Sequence, residues 1–324
     1  MADAIRVSDL TKSYGLTLAV DHISFYVKEG EVFGFLGPNG AGKTTTIRMM
    51  VGLTQPSSGT ALVDGHDILK EPVEVKKTIG LVPETSNLYG ELTVLDNLIY
   101  QAELYGVPKK ERKTQALQLI EEFGLKEHQN KSFQALSRGL KRRLTIAAAL
   151  IHHPKILFLD EPTTGLDVMS ARGLRKLIVD SKKKGLTIFL TTHYIPEAES
   201  LCDRIAVIVK GKIRVIDTPE SIKAQVKETE ILEIGLDRIT EDLKNKLLFM
   251  EGIEKILIAE NRIRFHTKKL DQITPPVIRV LEEQGAKIQS INTLSPSLED
   301  AFVRITGLDS ELMKIDKPIK GGPE

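Results

Sequence analysis

The segment Gly37-Pro38-Asn39-Gly40-Ala41-Gly42-Lys43-Thr44-Thr45 restricts the folds open to this chain more than any other. Its first eight residues fit G-x-x-x-x-G-K-[ST], an apolar run from Val32 to Leu36 precedes it, and a helical pattern from Thr45 to Leu53 follows. Strand, glycine-rich loop and helix in that order are what a phosphate-binding loop requires. Gly37, Gly40 and Gly42 let the backbone wrap closely, so that successive N–H groups point at β- and γ-phosphate oxygens. A helix beginning near Lys43 adds its positive dipole end. Lys43 then acts as a point charge for the terminal phosphates, and the Thr44 hydroxyl completes a magnesium shell.

A chain of 324 residues is long enough for a well-buried core and more readily makes two domains than one. Forty-five basic residues against forty-four acidic ones give a net charge of +1, so no electrostatic case for a nucleic-acid partner exists. Lys182-Lys183-Lys184, just before Gly185, reads as a solvated helix end, where cations suit the dipole. The single cysteine, Cys202, excludes an internal disulfide, fits a reducing compartment and is expected to pack as a small hydrophobe. No apolar run reaches bilayer-spanning length, the longest being Leu144 to Ile151 with Thr145 inside it. The N-terminal MADAIRVSDL has no apolar export segment. A soluble, cytoplasmic protein is expected.

Strand patterns cover Ile5 to Leu10, Leu18 to Val27, Val32 to Leu36 and Ala61 to Val63. From about Leu92 to Ile151 the pattern turns helical, with Thr93 as N-cap and Leu95, Leu98, Ile99 and Ala102 at helical spacing. Buried-strand runs return at Ile156 to Leu159 and Thr187 to Leu190, flanking a helix from Met169 to Lys184; strand, helix, strand implies parallel pairing. IAVIVKGKIRVID reads as a hairpin turning at Lys210-Gly211, and a boundary is expected near Pro219. Beyond it, strands at Ile231 to Ile234, Ile253 to Ile258, Arg262 to His266 and Lys287 to Ile291, with helices at Glu241 to Phe249 and Pro275 to Glu283, give the βαββαβ order of a ferredoxin-like domain. The expected domains are residues 1–218, with a helical subdomain at about 88–152, and 219–307, followed by a flexible tail at 308–324.

In ILFLDEPTTGLD a buried strand runs into Asp160-Glu161, which puts two carboxylates at the sheet's carboxyl edge beside the phosphate loop. Asp160 suits a magnesium shell, directly or through water. Glu161 is then free to polarise an attacking water. The next strand ends at His193, whose neutral imidazole is suited to hydrogen-bond a γ-phosphate and hold the water and Glu161 in line.

With these residues in place, the chain resembles an ATP-binding cassette (ABC) transporter ATPase subunit from its N-terminus to about Pro219. The resemblance makes Tyr14 the aromatic residue that stacks on adenine, Gly37 to Thr45 the Walker A loop and Ile156 to Asp160 Walker B. It makes Glu161 the catalytic base, Gly165-Leu166-Asp167 part of the D-loop and His193 the switch histidine. LSRGLKRR, Leu136 to Arg143, occupies the signature position at the head of a helix, with Ser137 as N-cap and the Gly139 N–H facing an anion. In the family that anion is the γ-phosphate held by the opposite subunit. The implied fold is α/β, a P-loop NTPase with a mixed-sheet core, a helical subdomain and a small α+β ferredoxin-like C-terminal domain. The implied ligands are ATP and Mg. The implied partners are a second copy, or a paralogous ATPase, in a head-to-tail dimer, and a separate transmembrane permease that brings the dimer to the inner face of the cell membrane.

Two departures from the family pattern stand out. The usual LSGGQ has become Leu136-Ser137-Arg138-Gly139-Leu140, with Arg138 either reaching nucleotide oxygens or an acid across the dimer or remaining solvated. Glu84, in LVPET, replaces the common Q-loop glutamine; a carboxylate there still ligates or water-bridges magnesium and is expected to help sense the nucleotide. Leu88, Tyr89 and Leu92 are expected either to line the groove that receives a permease helix or to belong to the core. The VPE loop, the LSRGLKRR signature and SPSLEDAFVRITG, Ser295 to Gly307, resemble the ATPases of two-component type-2 exporters, whose accessory C-terminal domain implies dimer contact or regulation. A GTPase would need N-K-x-D, and Asn130-Lys131-Ser132-Phe133 lacks the aspartate. The rival reading is a soluble ABC-type ATPase acting in translation or repair, but this chain has one cassette and only a short helical insertion. A binding module without turnover would have no use for Glu161 and His193 together.

Overall fold

The computed structural model describes residues 2–225, 230–248, 250–294 and 297–308. The chain divides into two compact units, with the division falling between Pro219 and Glu220. The first opens with β1 (Asp3–Tyr14) and β2 (Thr17–Lys28), then β3 (Val32–Leu36), α1 (Lys43–Met50), β4 (Ser58–Val63), β5 (His66–Asp67), α2 (Pro72–Thr78) and β6 (Ile79–Val82). A helical block follows, comprising α3 (Val94–Leu104), α4 (Lys109–Glu122) and α5 (Arg138–Ala149). The chain then runs through β7 (Ile156–Asp160), α6 (Val168–Lys183), β8 (Thr187–Thr192), α7 (Ile195–Leu201), β9 (Arg204–Val209) and β10 (Lys212–Asp217), with α8 (Pro219–Ala224) at the boundary.

Two sheets build this unit. β2, β1, β4 and β5 form an antiparallel sheet, whereas β10, β9, β3, β8, β7 and β6 form a mixed one whose strands are parallel except at the β9–β10 hairpin. β3, β7 and β8 are buried along their whole length, which explains their unbroken apolar runs: a strand covered on both faces has no polar side to show. Phe25 of β2 stacks on Phe33 of β3 at 5.5 Å and on Phe189 of β8 at 6.0 Å, so aromatic rings join the two sheets. Ile5, Val7, Leu10 and Ile47 belong to the same core.

The expected strands of this unit are found, β3 with the expected bounds and the others with longer ends, and the hairpin turns at Lys210-Gly211 with Lys212 opposite Val209. Thr93 caps α3 by accepting from the Asp96 N–H. α2, β6 and α7 are additions, each too short for a periodic signal to emerge. The lysine cluster is ion-paired rather than simply solvated: Lys182 meets Asp203, Lys183 meets Asp180 and Lys184 meets Glu122.

The second unit contains β11 (Glu230–Leu236), α9 (Glu241–Leu248), β12 (Lys255–Ala259), β13 (Arg262–Thr267), α10 (Leu270–Glu283), β14 (Ile288–Leu294) and α11 (Leu298–Thr306). Its strands lie in the order β12-β13-β11-β14, all antiparallel, which is the ferredoxin-like arrangement expected from βαββαβ. Leu232, Ile234 and Phe265 pack against Leu243, Ile273, Val277 and Leu281 in a core of its own. α10 starts five residues before the expected Pro275 and contains both Pro275 and Pro276. Burial of Ile273, Val277 and Leu281 on one face offsets the hydrogen bonds those prolines remove. α11 is a further addition, closed by a capping box between Ser297 and Asp300. Phe249, expected as the end of α9, lies outside the described residues, as do Ser295 and the expected tail beyond Leu308.

Candidate nucleotide site

Parallel registry fixes where the site lies. Leu36 of β3 pairs with Thr192 of β8, and Thr191 of β8 pairs with Asp160 of β7, so three strands end level with one another. The phosphate loop leaves β3 there, tied to β8 by the Gly37 N–H donating to the Thr192 carbonyl at 3.2 Å. Gly42 closes the loop with φ 104°, where a Cβ would also stand 2.5 Å from the Ala19 carbonyl oxygen; only glycine fits. α1 starts at the next residue, Lys43.

A cavity of about 410 Å³ opens on this edge, lined by Tyr14, Ala19, Asn39 to Thr45, Glu84, Glu161, Thr164 and His193. Tyr14 presents a half-exposed ring at its rim, with the Lys12 ammonium 5.0 Å from the ring centroid. Gly37 and Pro38 do not line the cavity. Their carbonyls accept from Lys43 Nζ at 2.7 and 3.2 Å, holding that ammonium at the base of the loop. Ser137, Gly139, Asp160 and Asp167 also stand outside the lining.

Glu161 is the electrostatic centre. Its Oε1 is 3.1 Å from Lys43 Nζ, and its Oε2 meets His193 Nδ1 at 2.9 Å and accepts from the Thr164 hydroxyl at 3.2 Å. Burial by itself would raise the carboxyl, but the His193 hydrogen bond and the Lys43 charge outweigh it and hold Glu161 at about 2. An ionised carboxylate accepts, so the His193 ring carries a proton on Nδ1. The backbone of Glu161 is in the left-handed region, φ 49°, a conformation costing a bulky residue about 1–3 kcal/mol. Its N–H donates to the Thr191 carbonyl at 3.1 Å and lies 3.2 Å from the Thr191 hydroxyl, which itself donates to Asp160 Oδ1 at 2.6 Å. Thr44 Oγ1 donates to the same Asp160 oxygen at 3.2 Å. The expected metal-binding oxygens of Thr44 and Asp160 thus meet; Thr44 and Glu84 line the cavity, and Asp160 stands outside its lining.

Comparison with known proteins assigns this geometry to a family. The ABC transporter family model matches residues 20–164, and the model described as "ATP-binding protein DrrA1-3-like, C-terminal domain" matches 218–306. The linearmycin resistance ATP-binding protein LnrL of Bacillus subtilis is 32% identical over 305 residues, covering 94% of this chain and 98% of that protein. The bacitracin transport ATP-binding protein BcrA of Bacillus licheniformis is 34% identical over 323 residues, covering 95% and 98%. The chain belongs to the ABC transporter family. A solved ATP-binding cassette, dimeric in a post-hydrolysis state with ADP and Pi, superposes with a TM-score of 0.61 at 26% identity, covering 66% of this chain and 98% of that one. This ABC subunit is therefore an ATP-binding protein and an ATPase.

The signature segment of the ABC subunit lies on α5. The Ser137 hydroxyl caps that helix by accepting from the Leu140 N–H. Gly139 is buried where a Cβ would stand 2.5 Å from the Ser170 hydroxyl, so α5 approaches the start of α6 more closely than any side chain permits. Asp167 caps α6 by accepting from the Ser170 N–H at 2.9 Å and its hydroxyl at 2.7 Å, and Arg138 is exposed. Signature and D-loop residues thus adjoin each other within one subunit, apart from the cavity.

Three residues were missed from the sequence. Thr191 bonds the Asp160 carboxylate and the Glu161 backbone N–H, and a hydroxyl near the end of a buried apolar strand was the signal. Asn97 is fully buried; its amide donates to the carbonyls of Tyr89, Leu92 and Thr93 and accepts from the Tyr89 N–H, shaping the loop that leaves Tyr89 exposed against Tyr100. Arg142 is buried behind Glu161, and nothing in its sequence position distinguishes it from Arg143.

Proposed function

We propose that this ABC subunit powers export of a drug- or antibiotic-like molecule through a separate membrane permease. Several relatives matched along nearly the whole chain are named for drug or antibiotic transport or resistance, another is named for Nod factor export, and the match to a C-terminal domain model extends that likeness past the cassette. Those names give a soluble translation or repair ATPase no support. Among the described residues no helix is long and apolar enough to cross a membrane, which fits a pathway supplied by another chain. The proposed location is the cytoplasmic face of the membrane. Exposed Tyr89, with half-buried Leu88 and Leu92, offers a surface for a permease helix.

The observation that carries the catalytic reading is the Glu161 carboxylate, bridged between Lys43 and His193 at the head of the loop. A triphosphate bound along Gly37 to Thr45 competes with Glu161 for the Lys43 ammonium. As that ammonium turns to phosphate, Glu161 loses the cation that depresses its basicity and becomes the better base toward water. His193 keeps its Nδ1 proton on Glu161 and thereby orients the carboxylate. Tyr14 supplies the face for adenine. Thr44 and Asp160, with Glu84 at the wall, are hard oxygen donors suited to Mg, which when bound neutralises charge on the phosphates. Among the described residues no group of three or more His, Cys, Asp or Glu could hold a metal ion; with nucleotide bound, triphosphate oxygens and water would supply the remaining ligands.

Ser137 and Gly139 stand outside their own cavity, so their donors serve a second copy, or a paralogue, in a head-to-tail dimer holding ATP between its halves. The cassette then comprises residues 1–218, with its helical subdomain at about 88–152, and 219–307 is an accessory domain for dimer contact or regulation. Glu161→Gln tests the whole reading. ATP binds, phosphate release falls by about 10² or more, and a dimer persists on size exclusion; full-rate turnover refutes the assignment of the base.

A further inference from the structure

Arg142 lies on α5, one turn beyond the Ser137 cap, and is 8% exposed. Its Nε donates to the Pro162 carbonyl at 2.9 Å. Nη1 donates to the carbonyls of Pro83 and, at 3.3 Å, Glu84. Nη2 donates to the carbonyls of Asp160 at 2.7 Å and Glu161 at 3.0 Å. A guanidinium carries five N–H donors, and each of them here has a carbonyl. Burial lowers the group to about 10, with Asp160 the first of four acids opposing that shift, so it remains a cation at neutral pH.

We propose that Arg142 is a positioning residue for ATP hydrolysis, clamping the 160–162 turn so that the strained Glu161 backbone keeps its carboxylate aimed into the cavity, and binding that turn to the Glu84 loop. This rests on Glu161 being the base. The clamp acts through main-chain carbonyls, so the peptide planes on both sides of Glu161 are fixed by one rigid fork. Thr191 holds the same residue from the opposite side by its N–H. Arg142 does not line the cavity, so it orders the base without touching nucleotide. Because the same fork grips the Glu84 carbonyl and stands on the helix Ser137 caps, displacement of either carboxylate segment is felt by the signature helix. Lysine cannot substitute, since an ammonium presents its donors from a single point and lacks the planar fork.

The experiment compares full-length Arg142→Lys and Arg142→Gln with the unaltered chain and with Glu161→Gln. It measures phosphate release against ATP concentration, equilibrium binding of a fluorescent ATP analogue, and thermal unfolding. The expected result is a fall in kcat of about tenfold or more, with KM and the analogue's Kd within about threefold. A purely structural role would weaken binding along with turnover. The proposal is overturned if kcat in both variants stays within about twofold while Glu161→Gln has lost turnover, if Kd rises in step with the fall in kcat, or if both variants fail to fold. Full turnover by Glu161→Gln is a different failure: it removes the base assignment whatever the Arg142 variants do.

Discussion

Replacing Glu161 by glutamine has a stability signature separable from its effect on turnover. The folded chain holds the carboxyl at about 2 against an ordinary 4.5, because the His193 hydrogen bond and the Lys43 ammonium overcome a burial cost that acts in the other direction. A depressed carboxyl stabilises the fold above the unfolded value and loses that stabilisation as the pH falls toward the folded one. The difference, 4.5 minus about 2, is about 2.5 pH units, or roughly 3 kcal/mol at neutral pH. Glu161→Gln removes the anion, leaves the Lys43 ammonium buried beside a neutral amide, and is expected to lower stability by about that amount at pH 7. Between pH 4.5 and 3 the gap between the two proteins should shrink to about half. With no tryptophan in the chain, urea unfolding is best followed by far-ultraviolet circular dichroism. A gap of equal size at pH 7 and pH 3 would refute the reasoning, because packing or a lost neutral hydrogen bond carries no such pH dependence.

Two further outcomes follow from the packing. A Cβ on Gly34 of β3 would lie 2.5 Å from Cys202 Sγ and 3.3 Å from its Cβ, so Gly34→Ala should cost about 1–3 kcal/mol, and adding Cys202→Ala should recover part of it; strictly additive thermal shifts would show that the two side chains do not collide. Ending the chain after Pro219 keeps the whole cavity and its own core, so ATP-analogue binding should stay within about threefold of the full chain, and loss of binding would make the second unit part of the site.

What could be read from the sequence was what depends on consecutive residues. The loop from Gly37 to Thr45 needs only its own backbone and the helix it starts, and the Thr93 and Ser137 caps bond within three residues. β3, β7 and β8 were visible because burial on both faces leaves an unbroken apolar run. β6 and α7 were not, since four and seven residues give too little pattern. The Ser297 capping box of α11 was legible in principle, as Ser-x-x-Asp before an apolar stripe.

The sequence by itself determined the phosphate loop, its strand and helix, and the kinds of side chain available for hydrolysis. Only the tertiary structure decided that Lys43 and His193 share the two oxygens of Glu161, that Thr191 and Thr44 meet on Asp160, and that Arg142 grips five carbonyls from two segments. These residues come from strands, loops and a helix far apart in the chain. Parallel registry of β3, β8 and β7 brings three strand ends to one edge, and such long-range registry is fixed by burial and hydrogen bonding across the sheet rather than by local preference.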